Sequence, residues 1–367
     1  MSAPPQQPPG QPGGQPREVP YEGLSCPLPH LPHGEVLLGH GSGGRLTQRL
    51  LEELFLPAFA NEALAARDDA AVLELPGGER LAFSADAFVV SPLFFPGGDL
   101  GELAVNGTVN DLACVGARPR WLSAAFILEE GFPLADLARL VSSMQRAARA
   151  AGVELVTGDT KVVQRGKGDG CFVSTSGVGL IPAGRRLTSG SCQQGDVVLV
   201  SGTLGDHGLA VLAARERLGL EGELASDTAP LHELAEALLA AAPSARCLRD
   251  PTRGGLAAAL QEIGARSGLA AEVEEAALPL SPGARGALEL LGLDPLLVAN
   301  EGKLCAVVPE AEAEAALAAW RGHPLGARAA RVGRLVAGTP GRLVVVSALG
   351  GRRTLELPLT DPLPRIC

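Results

Sequence analysis

Five aspartates, Asp68, Asp69, Asp86, Asp111 and Asp159, lie beside or within apolar segments and not in solvated charge runs. A carboxylate is rarely buried without a partner. A chain that draws several of them toward its core must therefore pair each one or bring them together. Converging carboxylates suit a hard divalent cation such as Mg2+, which takes oxygen ligands and bridges to phosphates. Each aspartate also has a plain structural reading, as a helix cap or the closure of a turn.

Apolar periodicity places these residues on elements. Strands are expected over 70–75 and over 81–90, the second with Asp86 in its middle. A helix over 100–116 holds Asn106, Asn110 and Asp111. A strand over 120–129 precedes a helix running from Leu134 to about Ala150, with Leu137, Leu140, Val141 and Met144 at helical spacing. A short strand over 153–156 ends in Gly158-Asp159-Thr160-Lys161, and 171–181 continues the sheet. A second module is expected from Leu187, with strands at 197–200, 304–308 and 343–346 and helices at 206–218, 230–242 and 253–267. The pattern reads as α+β or mixed α/β in both halves. The boundaries expected are a disordered Pro/Gln-rich extension over 1–34, domains over 35–186 and 187–350, and a tail over 351–367. Pro358, Pro362 and Pro364 keep that tail from being helical.

Composition removes several classes of function. The net charge of −10 disfavours a nucleic-acid partner, and 3% aromatic residues make a base-stacking platform improbable. No apolar run is long enough to span a membrane and the N-terminus is not a signal peptide, so no membrane partner is expected. The seven cysteines are odd in number and form no C-x-x-C; this points away from a disulfide framework and toward a reducing cytoplasm. Only Lys161, Lys167 and Lys303 among the 31 Lys and Arg residues are lysines, so Lys161 and Lys303, inside polar motifs, are candidates for positions that need a compact ammonium.

Five further elements carry candidate chemistry. Gly39–Gly44, including Gly41, Ser42, Gly43 and Gly44, leads into a helix with Leu46, Leu50, Leu51 and Leu54 on one face. Backbone N–H groups there suit a phosphate, and a plain flexible turn fits as well. Asp159-Thr160-Lys161 combines a carboxylate, a hydroxyl and an ammonium, or forms a polar turn. Arg249-Asp250-Pro251-Thr252-Arg253-Gly254-Gly255 enters a helix, and Asn300-Glu301-Gly302-Lys303 precedes a strand. Glu301 has no helix to cap, which favours a site role. The chain ends in Cys367. On an extended tail this thiol is expected to be mobile and accessible, either a reactive group that an enzyme must load or an idle thiol at a frayed end.

Taken together, Asp68-Asp69-Ala-Ala-Val, Ser84-Ala-Asp86, Asn110-Asp111-Leu-Ala, Gly158–Lys161, Gly202–Gly208, Arg249–Gly255, Asn300–Lys303 and the terminal Pro364-Arg365-Ile366-Cys367 resemble the HypE family of carbamoyl dehydratases in [NiFe]-hydrogenase maturation. HypE lies within the superfamily of aminoimidazole ribonucleotide synthase, selenophosphate synthetase and thiamine-monophosphate kinase. The resemblance covers residue 35 to the end and implies a two-domain aminoimidazole ribonucleotide synthase-like fold, with an N-terminal dimerising α/β domain, a C-terminal α+β domain and an extended tail. It implies ATP and Mg2+, a homodimer, a HypF-type carbamoyltransferase that loads Cys367, and a HypC–HypD complex that accepts cyanide. On this reading Asp68, Asp69, Asp86 and Asp111 hold Mg2+, while Gly41–Gly44, Asn110, Asp159 and Thr160 contact the nucleotide. Lys161 stabilises transferred charge, Glu301 is the base, and Asn300, Arg249 and Asp250 hold the tail. The tail is expected to dock with ATP and extend without it. Ala87 departs from the Ser or Thr common in the family. Two rivals are a selenophosphate synthetase-like enzyme, which carries its reactive residue near the N-terminus, and a non-catalytic scaffold.

Overall fold

The computed structural model describes residues 34–220, 224–360, 363 and 365–367; the extension over 1–33 falls outside them. The first half builds a five-stranded sheet from β1 (Ala71–Glu74), β2 (Arg80–Phe88), β3 (Arg118–Glu129), β4 (Glu154–Val163) and β5 (Cys171–Ile181). Its order is β1-β2-β5-β3-β4, antiparallel except for the β3–β4 pair. A short helix, α1 (Arg45–Leu50), precedes it. Helices α2 (Leu100–Cys114) and α3 (Leu134–Ala151) follow β2 and β3.

The second half builds a seven-stranded sheet from β6 (Val197–Val200), β7 (Cys247–Arg249), β8 (Ala270–Glu274), β9 (Cys305–Val308), β10 (Ala330–Val336), β11 (Leu343–Val346) and β12 (Arg352–Leu355). Its order is β12-β11-β8-β10-β6-β9-β7. Its helices are α4 (Asp206–Glu216), α5 (His232–Ala241), α6 (Gly255–Ser267), α7 (Pro282–Leu291) and α8 (Glu310–Arg321). The mixed architecture matches the expected fold class. Residues 352–355, read from the sequence as tail, pair with β11 instead. The sequence reading places no helix at α7 or α8.

Helix α2 positions everything that follows. Asp99 caps it, accepting from the N–H groups of Gly101 at 2.9 Å and Glu102 at 3.0 Å. Nearly every one of its residues is buried, since it packs on the first sheet and also meets α5 and β7 of the second domain. Leu100, Leu103 and Leu112 are fully buried, each contributing about 1.5–3 kcal/mol. Gly107 lets the helix approach β2: a Cβ there would lie 2.8 Å from the Phe88 ring. Along β2, Ala82, Ser84, Asp86 and Phe88 alternate onto this helix-covered face.

The other face of the first sheet is bare. Phe83, Trp121, Ile127 and Leu180 are exposed on it, and Leu155, Val156 and Val162 are exposed along the edge strand β4. An antiparallel sheet of this kind ordinarily presents polar residues to water. The expected short strand at 153–156 runs on to Val163, because β3 offers a parallel ladder from Trp121↔Glu154 to Glu129↔Val163. Gly158–Lys161 therefore lies within an edge strand rather than in a turn.

Candidate active site at the domain junction

Asp69 precedes β1, Asp86 lies on β2, Asp111 on α2, Asp250 just after β7, and Glu301 in the loop before β9. The two domains fold these carboxylates toward one another. The Arg249 Nε is 3.1 Å from Asp69 Oδ1, and Ser84 Oγ donates to Asp111 Oδ2 at 2.5 Å. One ligand atom each from Asp69, Asp250 and Cys114 lies within 4.8 Å of the others. Burial pushes the Asp69 carboxyl up to about 8 and the Asp250 carboxyl up to about 6, in both cases against the pull of Arg249. Burial, reinforced by Asp250 and Asp86, holds Asp111 and Glu301 well above the usual carboxylate range. Asp86 is raised by burial and partly restrained by Arg253.

Asp69 Oδ2 and Glu301 Oε1 are buried with no hydrogen-bond partner. Orphaned carboxylate oxygens in a cluster short of positive charge fit a hard divalent cation. Asp69 and Asp250 converge with Cys114, and Asp86 and Asp111 lie near enough to raise the proton affinity of this cluster. Asp68, expected with them, turns elsewhere: its Oδ1 accepts from the N–H and the hydroxyl of Ser189, both at 3.1 Å.

Two asparagines expected to touch ligand or tail are spent on the backbone. Asn110 Nδ2 donates to Ala229 O and Glu301 O, both at 3.1 Å, and its Oδ1 accepts from Leu231 N at 2.8 Å. Asn300 Oδ1 accepts from Gly205 N at 2.7 Å, while its Nδ2 donates to Pro251 O and Val298 O. Arg249 likewise holds Asp69, Glu262 and the Arg67 carbonyl rather than the tail. Lys303 forms a buried 3.0 Å pair with Asp227, whose Oδ1 accepts from the Glu301 N–H at 3.1 Å. These contacts fix Glu301 without using its carboxylate.

The C-terminal tail is docked. Cys367 is only 9% exposed, which corrects the expectation of an accessible thiol. Leu363 and Ile366 enter the hydrophobic core beside it, and the Cys367 carbonyl oxygen accepts from Val89 N at 3.0 Å. Arg253 stands between tail and acidic cluster: its guanidinium is held above its ordinary value first by Cys367, then by Asp86, Glu301 and Asp111. It also donates to Gly41 O at 3.0 Å. Gly43, at φ 85°, packs so closely that a Cβ would sit 2.7 Å from that of Arg253.

The glycine-rich loop lies under the tail. The first N–H groups of α1, from Arg45 and Leu46, donate to Pro358 O and Leu359 O, both at 3.2 Å, and Gly43 N donates to Thr47 Oγ1 at 2.9 Å. In this state they are not free for a phosphate. Asp159, Thr160 and Lys161 stand apart from the cluster. The ladder Ala87↔Ser174↔Ala125↔Asp159 puts Asp159 on the bare face, opposite Asp86. There it forms an exposed 2.7 Å ion pair with Lys161.

Sequence reasoning missed Arg253, Cys114, and the tail partners His207 and Arg215. Arg253 and His207 carried a signal, lying inside the singled-out motifs Arg249–Gly255 and Gly202–Gly208. An open groove of about 480 Å³ between α3 and β4 is lined by residues such as Phe126, Met144 and Leu155 and lies away from this chemistry. Among the described residues no helix is long and apolar enough to cross a membrane.

Comparison with known proteins places the chain. Residues 67–181 match the AIR synthase related protein, N-terminal domain, and 193–346 the AIR synthase related protein, C-terminal domain. Carbamoyl dehydratase HypE of Cupriavidus necator is 52% identical over 345 residues, covering 94% of this chain and 98% of the relative. The crystal structure of a HypE–HypF complex has a chain that superposes with a TM-score of 0.80 at 44% identity, covering 84% of this chain and 99% of that one. Hydrogenase maturation protein HypE in complex with ATP superposes with a TM-score of 0.76 at 47% identity, covering 91% and 100%.

The raised carboxyls of Asp69 and Asp250 hold protons in the folded state that the unfolded chain has already released. Their contribution is fully present below about pH 4 and is lost as pH rises through about 6 and 8. Melting temperatures recorded without divalent cation are expected to fall from about pH 5 to about pH 8, and Asp69→Asn should flatten that fall. An equally steep fall in the Asn variant would separate the acidic cluster from the effect.

Proposed function

Because the chain belongs to the HypE family of carbamoyl dehydratases, built on the two AIR synthase related domains, we propose that it uses ATP to dehydrate a carbamoyl group carried on its own Cys367 to a thiocyanate. The observation that carries this reading is the docked tail: Cys367 is buried, and its charge acts on the same Arg253 guanidinium as Asp86, Glu301 and Asp111 of the acidic cluster.

The chemistry must turn an amide oxygen into a leaving group. The carbamoyl oxygen attacks the γ-phosphorus of ATP, the bond to ADP breaks, and one proton leaves the nitrogen. Cleavage of the C–O bond then releases phosphate, a second nitrogen proton departs, and S–C≡N remains. Phosphoryl transfer of this kind depends on positioning and charge neutralisation. Asp69, Asp86, Asp111 and Asp250 would hold Mg2+, which when bound supplies neutralising charge to the phosphates. Arg253 orients the tail end and stabilises developing negative charge. Glu301, 2% exposed, carries an unpartnered oxygen and a proton affinity raised by burial, which suits a base for the amide nitrogen. For the Gly41–Gly44 loop to reach a nucleotide, the 358–360 segment must first lift off it.

Asp159, Thr160 and Lys161 act, on this reading, on the part of the nucleotide that reaches past the sheet edge, where a second copy packs. The bare apolar face of the first sheet suits that copy. A HypF-type carbamoyltransferase loads the thiol, and a HypC–HypD complex takes the cyanide, in a reducing cytoplasm. The docked tail hides Cys367, so loading requires it to leave.

Intact mass of the C-terminal peptide tests the reaction. After incubation with carbamoyltransferase, carbamoyl phosphate and ATP, it should gain one carbamoyl group and then lose one water. Glu301→Gln should stall at the carbamoyl stage, with dehydration slowed about 10²–10⁴-fold; loss of water at the parent rate would remove Glu301 from the role. For assembly, Ile127→Glu is expected to convert a dimer to a monomer in light scattering, and a parent chain that is itself monomeric would refute the paired arrangement.

A further inference from the structure

Helix α4 touches the tail through two side chains eight residues apart, at helical spacing that places both on one stripe. His207 Nε2 is 3.0 Å from the carbonyl oxygen of Ile366, and its Nδ1 is 2.8 Å from Ser226 Oγ. The Phe95 ring meets the imidazole edge-on. The Arg215 guanidinium bridges two segments: Nε donates to Ser91 O at 2.8 Å and Nη2 to Arg365 O at 2.6 Å. Ser91 N also donates to Arg365 O, at 3.2 Å. From the first domain, Asp169 pairs with the Arg365 side chain, which also donates to Val89 O at 3.3 Å.

His207, Arg215 and Ser91 N read the main chain of Arg365 and Ile366, while Asp169 and Val89 O hold the Arg365 side chain. Proline at 364 lacks an N–H, and residues 365–367 lie in no strand, so their carbonyls are satisfied by side chains and loop amides. Arg365 also sits at φ 58°, a left-handed conformation disfavoured for a residue with a Cβ. The docked tail is therefore held against local strain by a small number of identifiable contacts.

We infer that His207 and Arg215, through the tail carbonyls, and Asp169, through the Arg365 side chain, form a latch on the tail that sets how long Cys367 stays docked. Loading by a carbamoyltransferase and dehydration then draw on opposite states of the same latch. These are positioning residues, acting through the placement of Cys367. The inference rests on the proposed reading of Cys367 as the loaded thiol.

The test alkylates the full-length protein with iodoacetamide and follows the C-terminal peptide by mass, in the parent and in Arg215→Gln, Arg215→Lys and Asp169→Asn. Loss of the charge-assisted bonds of Arg215 should raise Cys367 alkylation about tenfold or more, and loss of the half-exposed Asp169 pair about two- to fivefold, with Arg215→Lys between parent and Gln. In the same variants loading should speed up while single-turnover dehydration slows. Alkylation unchanged in both Arg215→Gln and Asp169→Asn, or loading and dehydration falling together, would overturn the latch. If the peptide never takes up a carbamoyl group, the functional reading fails, while the alkylation rates still decide whether the latch exists.

Discussion

The site depends on the way Asn110 joins the domains. One buried amide on α2 satisfies two carbonyls and one N–H of the second domain, so the first sheet cannot shift against the second without leaving buried polar groups unpaired, at a cost of about 1–3 kcal/mol each. One of those carbonyls belongs to Glu301, and Asp111 is the next residue on the helix. The clasp therefore fixes the carboxylates of both domains relative to each other. Asn300 does the same for the loops at 203–206 and 251–254 from the other side.

That rigidity creates an electrostatic problem which chemistry can use. Fixed carboxylates sharing Arg249 and Arg253 cannot all ionise in a buried space, and their proton affinities rise together. A bound divalent cation would relieve this, which is the role proposed here for Mg2+. The tail packs Leu363, Ile366 and Cys367 into the hydrophobic core. On the reading proposed above, the framework stays fixed while the last residues move, so that one enzyme exposes its thiol for loading and then buries it for a reaction that excludes water.

Much of this was legible in the chain, for identifiable reasons. Asp69, Asp86 and Asp111 stand out because a carboxylate in an apolar strand or helix demands an explanation, and Glu301 because no helix follows for it to cap. The terminal cysteine is legible from its position alone. Asn110 and Asn300 misled because a polar residue in an apolar segment looks the same whether it faces a ligand or a backbone carbonyl. The face that Asp159 and Lys161 occupy was not legible, because strand parity depends on register with neighbouring strands, and register is a tertiary property. Asp68 and Asp69 are adjacent, yet point to Ser189 and to the cluster respectively. The burial of Cys367 was not legible, since proline content rules out a helix but says nothing of where an extended segment lies.

The central claim is that bound cation and terminal thiol share one pocket. With Mn2+ and ATP bound in place of Mg2+ and ATP, and carbon-13 placed in the carbamoyl group on Cys367, electron–nuclear double resonance reads their separation directly. The account predicts a resolved coupling between manganese and that carbon, lost when Asp69 and Asp111 are replaced by asparagine. Full occupancy by manganese and ATP with no coupling to the carbamoyl carbon would contradict it.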